Sequence, residues 1–453
     1  MRWMIRVRAR RNRCKKTGYS AQIAHSGPGR LLYHPSILDS PAHPMKTMHA
    51  PRTTLPLTLL LALTAALSGC GGAADEPGTA TPPSGPISVD FTRPTVEKNV
   101  LDVGGSADVY ASVGINGSTA PDGTIVTFAV SPASAATLAP VAPTSVSGLV
   151  ATTLRSSLLA GSSFELRASA TSSANSDSET LNFHVRPAPG KLQLLVPAYS
   201  AASSGAGAGT ASPWTTLTSG AASYPDVKIT AIANPHNGIL TATTAADSSL
   251  TTAIDTFKAV ANTSNQVMAY VATAAGSSGA LSVTDVKASI DRYLALYPGK
   301  FDGFFLDTMA TGSDRLAFFT DLYNHIKGRN ANLIVIGNPG TYPDPAYANV
   351  TDVLVTYAGN AAAYQGINPQ PLNTWVYKRP NSAQAMLVHS ASTCTAMKNT
   401  LAMARQPRMN TGLVYITDLT LGASWAGPLA TYWTQMLGTV DALNNPGRSE
   451  PAC

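Results

Sequence analysis

Short apolar runs alternate with longer amphipathic stretches from residue 191 to the C-terminus. Apolar runs of this length, without a polar face, are typical of parallel strands buried on both sides. They lie at residues 192–199, 227–235, 266–273, 301–307, 332–340, 352–359, 385–390 and 413–418, with helical patterns at 251–261, 283–297, 314–327 and 392–404. This order predicts an α/β fold, a (β/α)8 barrel of TIM type over residues 191–453, with an open doubly wound sheet as the alternative. Asp314 is a candidate N-cap.

Residues 87–187 follow another pattern, in which apolar and polar positions alternate between turn signals. This pattern predicts a smaller all-β sandwich before the barrel. The stretch from Asp122-Gly123 to Gly161 resembles the bacterial Ig-like repeats of invasin and intimin, with their "DGT-V-F" and "T-G-A--TL-S---G" patterns. The resemblance implies an Ig-like spacer, and a ligand-binding module is the alternative. Residues 186–190 (RPAPG) form the predicted linker.

Residues 1–86 show no pattern typical of a folded domain. Residues 1–44 are predicted to be a disordered or non-native extension, and residues 45–69 have the basic start and apolar core (LPLTLLLALTAAL) of an export signal. Residues 67–70 (LSGC) resemble the bacterial lipobox, which implies a lipid on Cys70. An ordinary secretory signal is the alternative. Residues 70–86 are predicted to be a flexible tether, rich in Gly, Pro, Ser and Thr.

The predicted lipid anchor implies membrane attachment through Cys70. Gly71 follows the cysteine, and the absence of Asp at this position favours sorting to the outer membrane. We therefore expect an exported lipoprotein, periplasmic or on the cell surface.

The net charge of +6 comes from the N-terminal extension, because residues 1–52 contain eleven Lys or Arg and a single acid, Asp39. The rest of the chain has a net charge of about −4, which argues against nucleic acid as a partner. Neither a zinc-type cysteine spacing nor a glycine-rich phosphate fingerprint occurs, so no metal and no cofactor is expected. Whether Cys394 and Cys453 pair is left open.

Polar and aromatic residues are concentrated where the predicted strands end, and in a barrel these ends meet at one mouth. Amide and aromatic side chains with few basic residues suit a sugar ligand. Trp214 and Trp375, predicted to lie on loops, would offer further stacking surfaces. The candidate binding residues are Tyr199, Trp214, Asn234, Asn237, Tyr270, Asn338, Tyr357 and His389.

Asp307 ends the fourth predicted strand, FDGFFLD, and is the candidate for the centre of the site. Asp418 and Asp344 follow other strands and are the other candidate catalytic carboxylates. Asp302 lies five strand residues before Asp307, at about 3.3 Å per residue, and is therefore expected at the opposite end of the strand in a structural role.

The order of motifs resembles the spherulin-4 family (spherulation-specific family 4), whose relatives include glycoside hydrolases that cut α-1,4-linked galactosamine exopolysaccharides. The marks of the resemblance are VPAY, Trp214, NPHNG, YVAT, Tyr293, FDGFFLD, NPG and YITD. It implies a glycoside-hydrolase-like barrel that acts on an amino-sugar polysaccharide, with Asp307 at the centre. We expect the protein to be a monomer.

Two departures from the family pattern leave the activity open. The related hydrolases have a glutamate after the aspartate of the fourth strand and another near the end of the sixth, where this chain has Thr308 and Ala358. Glycoside hydrolysis ordinarily needs two carboxylates about 5–9.5 Å apart. The chain is thus either a hydrolase using Asp307 with another aspartate or a catalytically inactive carbohydrate-binding barrel. An adhesin or envelope scaffold is a third alternative.

Overall fold

A two-layer β-sandwich is followed by a closed barrel in this computed structural model. It describes residues 85–453 except 174, 201, 203–211, 275–280, 423, 424 and 426. The predicted extension, the export signal and Cys70 lie outside the described residues. In the part described, no helix combines the length and the apolar character needed to cross a membrane.

The sandwich consists of a five-stranded sheet and a four-stranded sheet. Buried and exposed positions alternate along most of its strands, because each sheet has one face in the core and one in solvent. Val109, Leu154, Phe128 and Phe183 bring both sheets into one apolar core. The elements are β1 (Ile87–Phe91), α1 (Arg93–Glu97), β2 (Val100–Asp102), β3 (Ser106–Ile115), β4 (Ser118–Thr119), β5 (Val126–Ser131), β6 (Ala136–Ala139), β7 (Leu149–Ser156), β8 (Ser163–Thr171) and β9 (Ser176–Arg186).

Eight parallel strands form the barrel, which closes where the last strand pairs with the first. Its strands are almost wholly buried, as expected when side chains fill the interior and helices cover the outside. The elements are β10 (Gln193–Ala198), α2 (Pro213–Ser223), β11 (Ile229–Ala233), α3 (Ser248–Lys258), β12 (Gln266–Ala272), α4 (Val283–Leu296), β13 (Gly303–Asp307), α5 (Leu316–Arg329), β14 (Ile334–Gly337), β15 (Val353–Asn360), α6 (Ala361–Tyr364), β16 (Gln384–His389), α7 (Cys394–Ala404), β17 (Leu413–Ile416) and α8 (Trp433–Asn444).

The predicted barrel is therefore confirmed, and each predicted strand overlaps one observed strand. The N-cap prediction for Asp314 is wrong: this residue lies inside a 3-10 turn, Ser313–Arg315, that leads into α5. Other helices of the barrel begin with a side chain that accepts hydrogen bonds from the backbone of the first turn. Asp247 accepts hydrogen bonds from the backbone of Ser249 and Leu250 at the start of α3.

The sandwich contacts the barrel through segments that lead into β16 and β17. Asn99 and Gln370 exchange two amide hydrogen bonds, and the ring of His184 stacks on that of Tyr377 at 5.3 Å. Arg186 pairs with Asp102 and also donates to the carbonyl of Pro407. Because these segments precede their strands, the sandwich lies at the N-terminal end of the barrel, opposite the strand tips.

A disulfide joins Cys394, at the start of α7, to the C-terminal residue Cys453. The two positions are 59 residues apart in the chain. The bond closes a loop that contains β17 and α8, so it fixes the last strand and helix of the barrel to the helix before them.

Replacing Cys453 with serine should lower the free energy of unfolding by about 2–4 kcal/mol, because the open chain gains conformational entropy when it unfolds. Urea denaturation in the absence of reductant measures the effect. Cys394→Ser should give a similar loss, and reductant should destabilise the parent but neither variant. Equal stability of parent and variants would contradict a stabilising role for the bond.

Candidate functional site

A cavity of about 410 Å³ lies at the mouth of the barrel, where the strands end. Each of the eight strands, or the loop directly after it, contributes to its wall. The described lining residues are Tyr199, Asn234, Asn237, Tyr270, Asp307, Asn338, Ala358, Leu387, Gly422 and Trp425. The predicted convergence of strand tips thus holds for six of the sequence-derived candidates.

Asp307 stands at the centre of a hydrogen-bond network across three neighbouring strands. The hydroxyl of Tyr270 on β12 donates to one carboxylate oxygen at 2.6 Å, and the side-chain amide of Asn338, after β14, donates to the other at 2.6 Å. Both donors are uncharged. The carboxylate is therefore held in one orientation by neutral groups, and no cation among the described lining residues neutralises it.

The tyrosines beside Asp307 stay protonated and available as donors. Burial, reinforced by the charge of Asp307, raises the pKa of Tyr270 well above its ordinary value. The pKa of Tyr199 is raised by the same two causes, with burial the larger. The two rings meet edge to face at 5.2 Å between centroids, so they form one aromatic wall.

The NPHNG loop after β11 supports this wall. Asn237 and Gly238 both have positive φ, 53° and 74°, which turns the chain back toward β12. A Cβ at Gly238 would come within 2.6 Å of the Tyr270 ring and 2.4 Å of the Ala272 nitrogen. The glycine therefore permits the close approach that holds Tyr270 against Asp307.

Trp214 lies away from the mouth. It is in α2, not in the predicted loop, and only 2% of its surface is exposed. Its indole packs edge to face on Phe257 of α3 at 6.1 Å. With Leu217 and Ala221 it forms the apolar face of α2, so the prediction of an exposed stacking surface is wrong. Trp375, also predicted on a loop, lies in a 3-10 turn and packs against Val376 and Tyr377.

Tyr357 and His389 are also absent from the cavity wall described above. The pairing of β15 with β16 shifts register between Val355 and Tyr357, and Ala358 rather than Tyr357 lines the cavity. Tyr357 packs on Tyr364 and donates its hydroxyl hydrogen to the Asn360 carbonyl. His389 is 7% exposed, contacts the Ser390 hydroxyl, and has a pKa lowered by burial.

The other aspartates bind to local protein groups. Asp418 accepts from the backbone and hydroxyl of Thr431, and Asp344 caps a 3-10 turn through the nitrogen of Ala346. Neither is among the described lining residues. Asp302 pairs with Lys258 at 2.8 Å and accepts from the nitrogen of Val267, in the structural position expected for it.

Thr308 and Ala358 occupy the two positions at which the family resemblance leads us to expect glutamates. Thr308 has a positive φ of 53°, and its hydroxyl accepts from the nitrogen of Ala274 at 3.0 Å and donates to the carbonyl of Asp307 at 2.7 Å. Its side chain thus binds the backbone of the strand tips. Ala358 lines the cavity and adds no second carboxylate beside Asp307.

Trp425 is the aromatic residue of the mouth that sequence reasoning missed. It follows β17, lines the cavity, and has its indole 6.1 Å from the His389 ring and 6.4 Å from the Tyr415 ring. A tryptophan in the segment between the eighth predicted strand and the last helix was the signal that could have identified it.

The model of the spherulation-specific family 4 matches residues 193–440, more than half of the chain and nearly the whole barrel. The chain belongs to this family. Spherulin-4 of Physarum polycephalum is 35% identical over 228 residues, which cover 48% of this chain and 64% of the relative. The chain thus matches less than two thirds of that family member's length.

Solved structures with similar folds include sugar-binding and sugar-cleaving proteins. Sph3 of Aspergillus clavatus, in complex with GalNAc, is 22% identical with a TM-score of 0.45, covering 55% of this chain and 98% of Sph3. A family 39 glycoside hydrolase of Bacteroides cellulosilyticus WH2 is 11% identical with a TM-score of 0.35, covering 79% and 83%. Likenesses of this size do not bear on the chemistry of the mouth.

Asp307, the last residue of β13, and Asp302, the residue directly before this strand, should respond differently to substitution. Asp302→Ala should lower the free energy of unfolding by about 1–3 kcal/mol, because the Val267 nitrogen and Lys258 lose their acceptor. Asp307→Asn should change stability much less, since the Tyr270 hydroxyl can rotate to accept from the new amide. Urea unfolding compares the two. Equal losses would show that Asp307 is also a structural residue.

Proposed function

We propose that the barrel mouth binds an amino-sugar polysaccharide of galactosamine type and holds it without hydrolysing it. The observation that carries this proposal is that Asp307 is the one carboxylate among the described lining residues and is fixed by two neutral donors. Family membership, together with the resemblance to galactosamine-cleaving hydrolases, supports the sugar class, and the chain's own residues favour binding over cleavage.

The composition of the wall favours a sugar. Tyr199, Tyr270 and Trp425 offer apolar ring surfaces to the C–H faces of a pyranose, and three asparagines offer amide groups to hydroxyls. Lys and Arg are missing from the described lining, which disfavours phosphorylated or acidic sugars.

Hydrolysis would need a second carboxylate beside Asp307, and the candidate residues bind other protein groups. Asp418 and Asp344 are bound to Thr431 and to Ala346, and the one glutamate after residue 190, Glu450, pairs with Lys398 in the C-terminal tail. The barrel residues outside the described set contain neither Asp nor Glu. A two-carboxylate hydrolysis is therefore unsupported at this mouth.

The cellular setting belongs to the same proposal. We infer an exported lipoprotein, attached through Cys70 to the outer membrane and facing the periplasm or the cell surface, with the sandwich as an Ig-like spacer. The lipobox-like residues 67–70 and the apolar run before them support this location. A monomeric barrel at the end of a tether would suit retention of a polymer at the cell envelope.

Residues 85–453, which include both sandwich and barrel, should retain α-1,4-galactosaminoglycan in a pull-down and release no oligosaccharides detectable by mass spectrometry. Asp307→Asn should weaken retention about tenfold or more, because a charge-assisted contact is lost. The control is Asp90→Asn, which removes the same charge from an exposed position on the sandwich.

Ala358→Glu is a matched variant that tests for a gain of hydrolysis, since it places a second carboxylate on the cavity wall. Short oligosaccharides from the parent that disappear in Asp307→Asn would overturn the proposal in favour of a hydrolase. Failure of the parent to retain any amino-sugar polymer would overturn it in favour of the scaffold alternative.

A further inference from the structure

We propose that the mouth selects amino sugars whose amine is free and protonated, and discriminates against the N-acetylated form. This inference rests on the proposed function and deepens it, because it names the chemical group that Asp307 would hold. It follows from three features of the cavity: an unneutralised charge, a surplus of hydrogen-bond acceptors, and an aromatic wall.

The charge of Asp307 is not neutralised by any described protein cation. Its two partners, Tyr270 and Asn338, are neutral, it takes part in none of the ion pairs observed in the described chain, and Lys and Arg are missing from the described lining. A carboxylate has about four lone-pair positions, and the two donors use two of them. Two positions remain for donors supplied by a ligand.

Two asparagines of the cavity, Asn338 and Asn234, add buried acceptor atoms that have no hydrogen-bond partner. A carboxylate can only accept, so Asn338 must present its NH2 group to Asp307, and its own oxygen then has no hydrogen-bond partner. The side-chain oxygen of Asn234 is likewise buried without a partner. The wall therefore holds two buried acceptors without a partner beside the free positions on Asp307, and an ammonium group can donate its three N–H bonds to such acceptors.

The aromatic wall favours the same group. The rings of Tyr199, Tyr270 and Trp425 line the cavity that holds Asp307, and aromatic faces attract ammonium ions. An acetamido group would replace three donors and a positive charge by one donor, a neutral carbonyl and a methyl group. Its carbonyl would meet a cavity already rich in acceptors, so the N-acetylated sugar should bind more weakly.

The test compares two galactosamine polymers of equal length, one fully deacetylated and one fully N-acetylated, with residues 85–453 in calorimetric titrations. The deacetylated polymer should bind about tenfold or more tightly, the size of one charge-assisted contact. Its affinity should fall as the pH rises through the pKa of the sugar amine, because the ammonium loses its proton. The affinity for the acetylated polymer should stay nearly constant over the same range.

Asp307→Asn should remove most of the preference while Asp90→Asn keeps it, which separates the mouth from general attraction between a polycation and an acidic protein. Galactosamine should also compete better than N-acetylgalactosamine as a monomer. Equal binding of both polymers by the parent, weakened alike in Asp307→Asn, would overturn this inference and leave the proposed function standing. If neither polymer binds, the proposed function itself fails.

Discussion

The site depends on one constraint, the placement of three side chains on three adjacent parallel strands. In the barrel register β13 pairs with β12 on one side and with β14 on the other, so Tyr270 and Asn338 flank Asp307. The strand tips are then tied together. The hydroxyl of Thr273 donates to the carbonyl of Asp307 at 2.6 Å. The backbone nitrogen of Asn338 donates to the carbonyl of Leu306 at 2.9 Å. The carboxylate is therefore oriented before any ligand arrives, which reduces the entropy lost on binding.

Sequence reasoning predicted the barrel because buried parallel strands have a simple signature. Runs such as VKITAIANP and FDGFFLD have no polar face, and the tips that follow them carry polar residues, so both the strands and most of the mouth could be located. The helices gave weaker signals. α2 is rich in Thr, Ser, Gly and Ala with few apolar residues, and Trp214 in it was therefore assigned to a loop.

Errors at the mouth had a different cause. Strict alternation cannot show the register shift in β15, which brings Ala358 to the cavity and takes Tyr357 away from it. Nor can it show which aspartate binds a neighbouring loop: Asp418 follows a strand tip in the same way as Asp307, yet it accepts from Thr431. These outcomes depend on tertiary contacts between segments that are distant in sequence.

The sandwich packs against the end of the barrel that lies opposite the mouth. Its contacts through Asn99, His184 and Arg186 reach segments that lead into β16 and β17, at the end of the barrel opposite the strand tips. Because these contacts lie away from the mouth, the sandwich does not cover the cavity that holds Asp307. Under the proposed function, a fixed charge with no second acid among the described lining residues is suited to retention rather than cleavage.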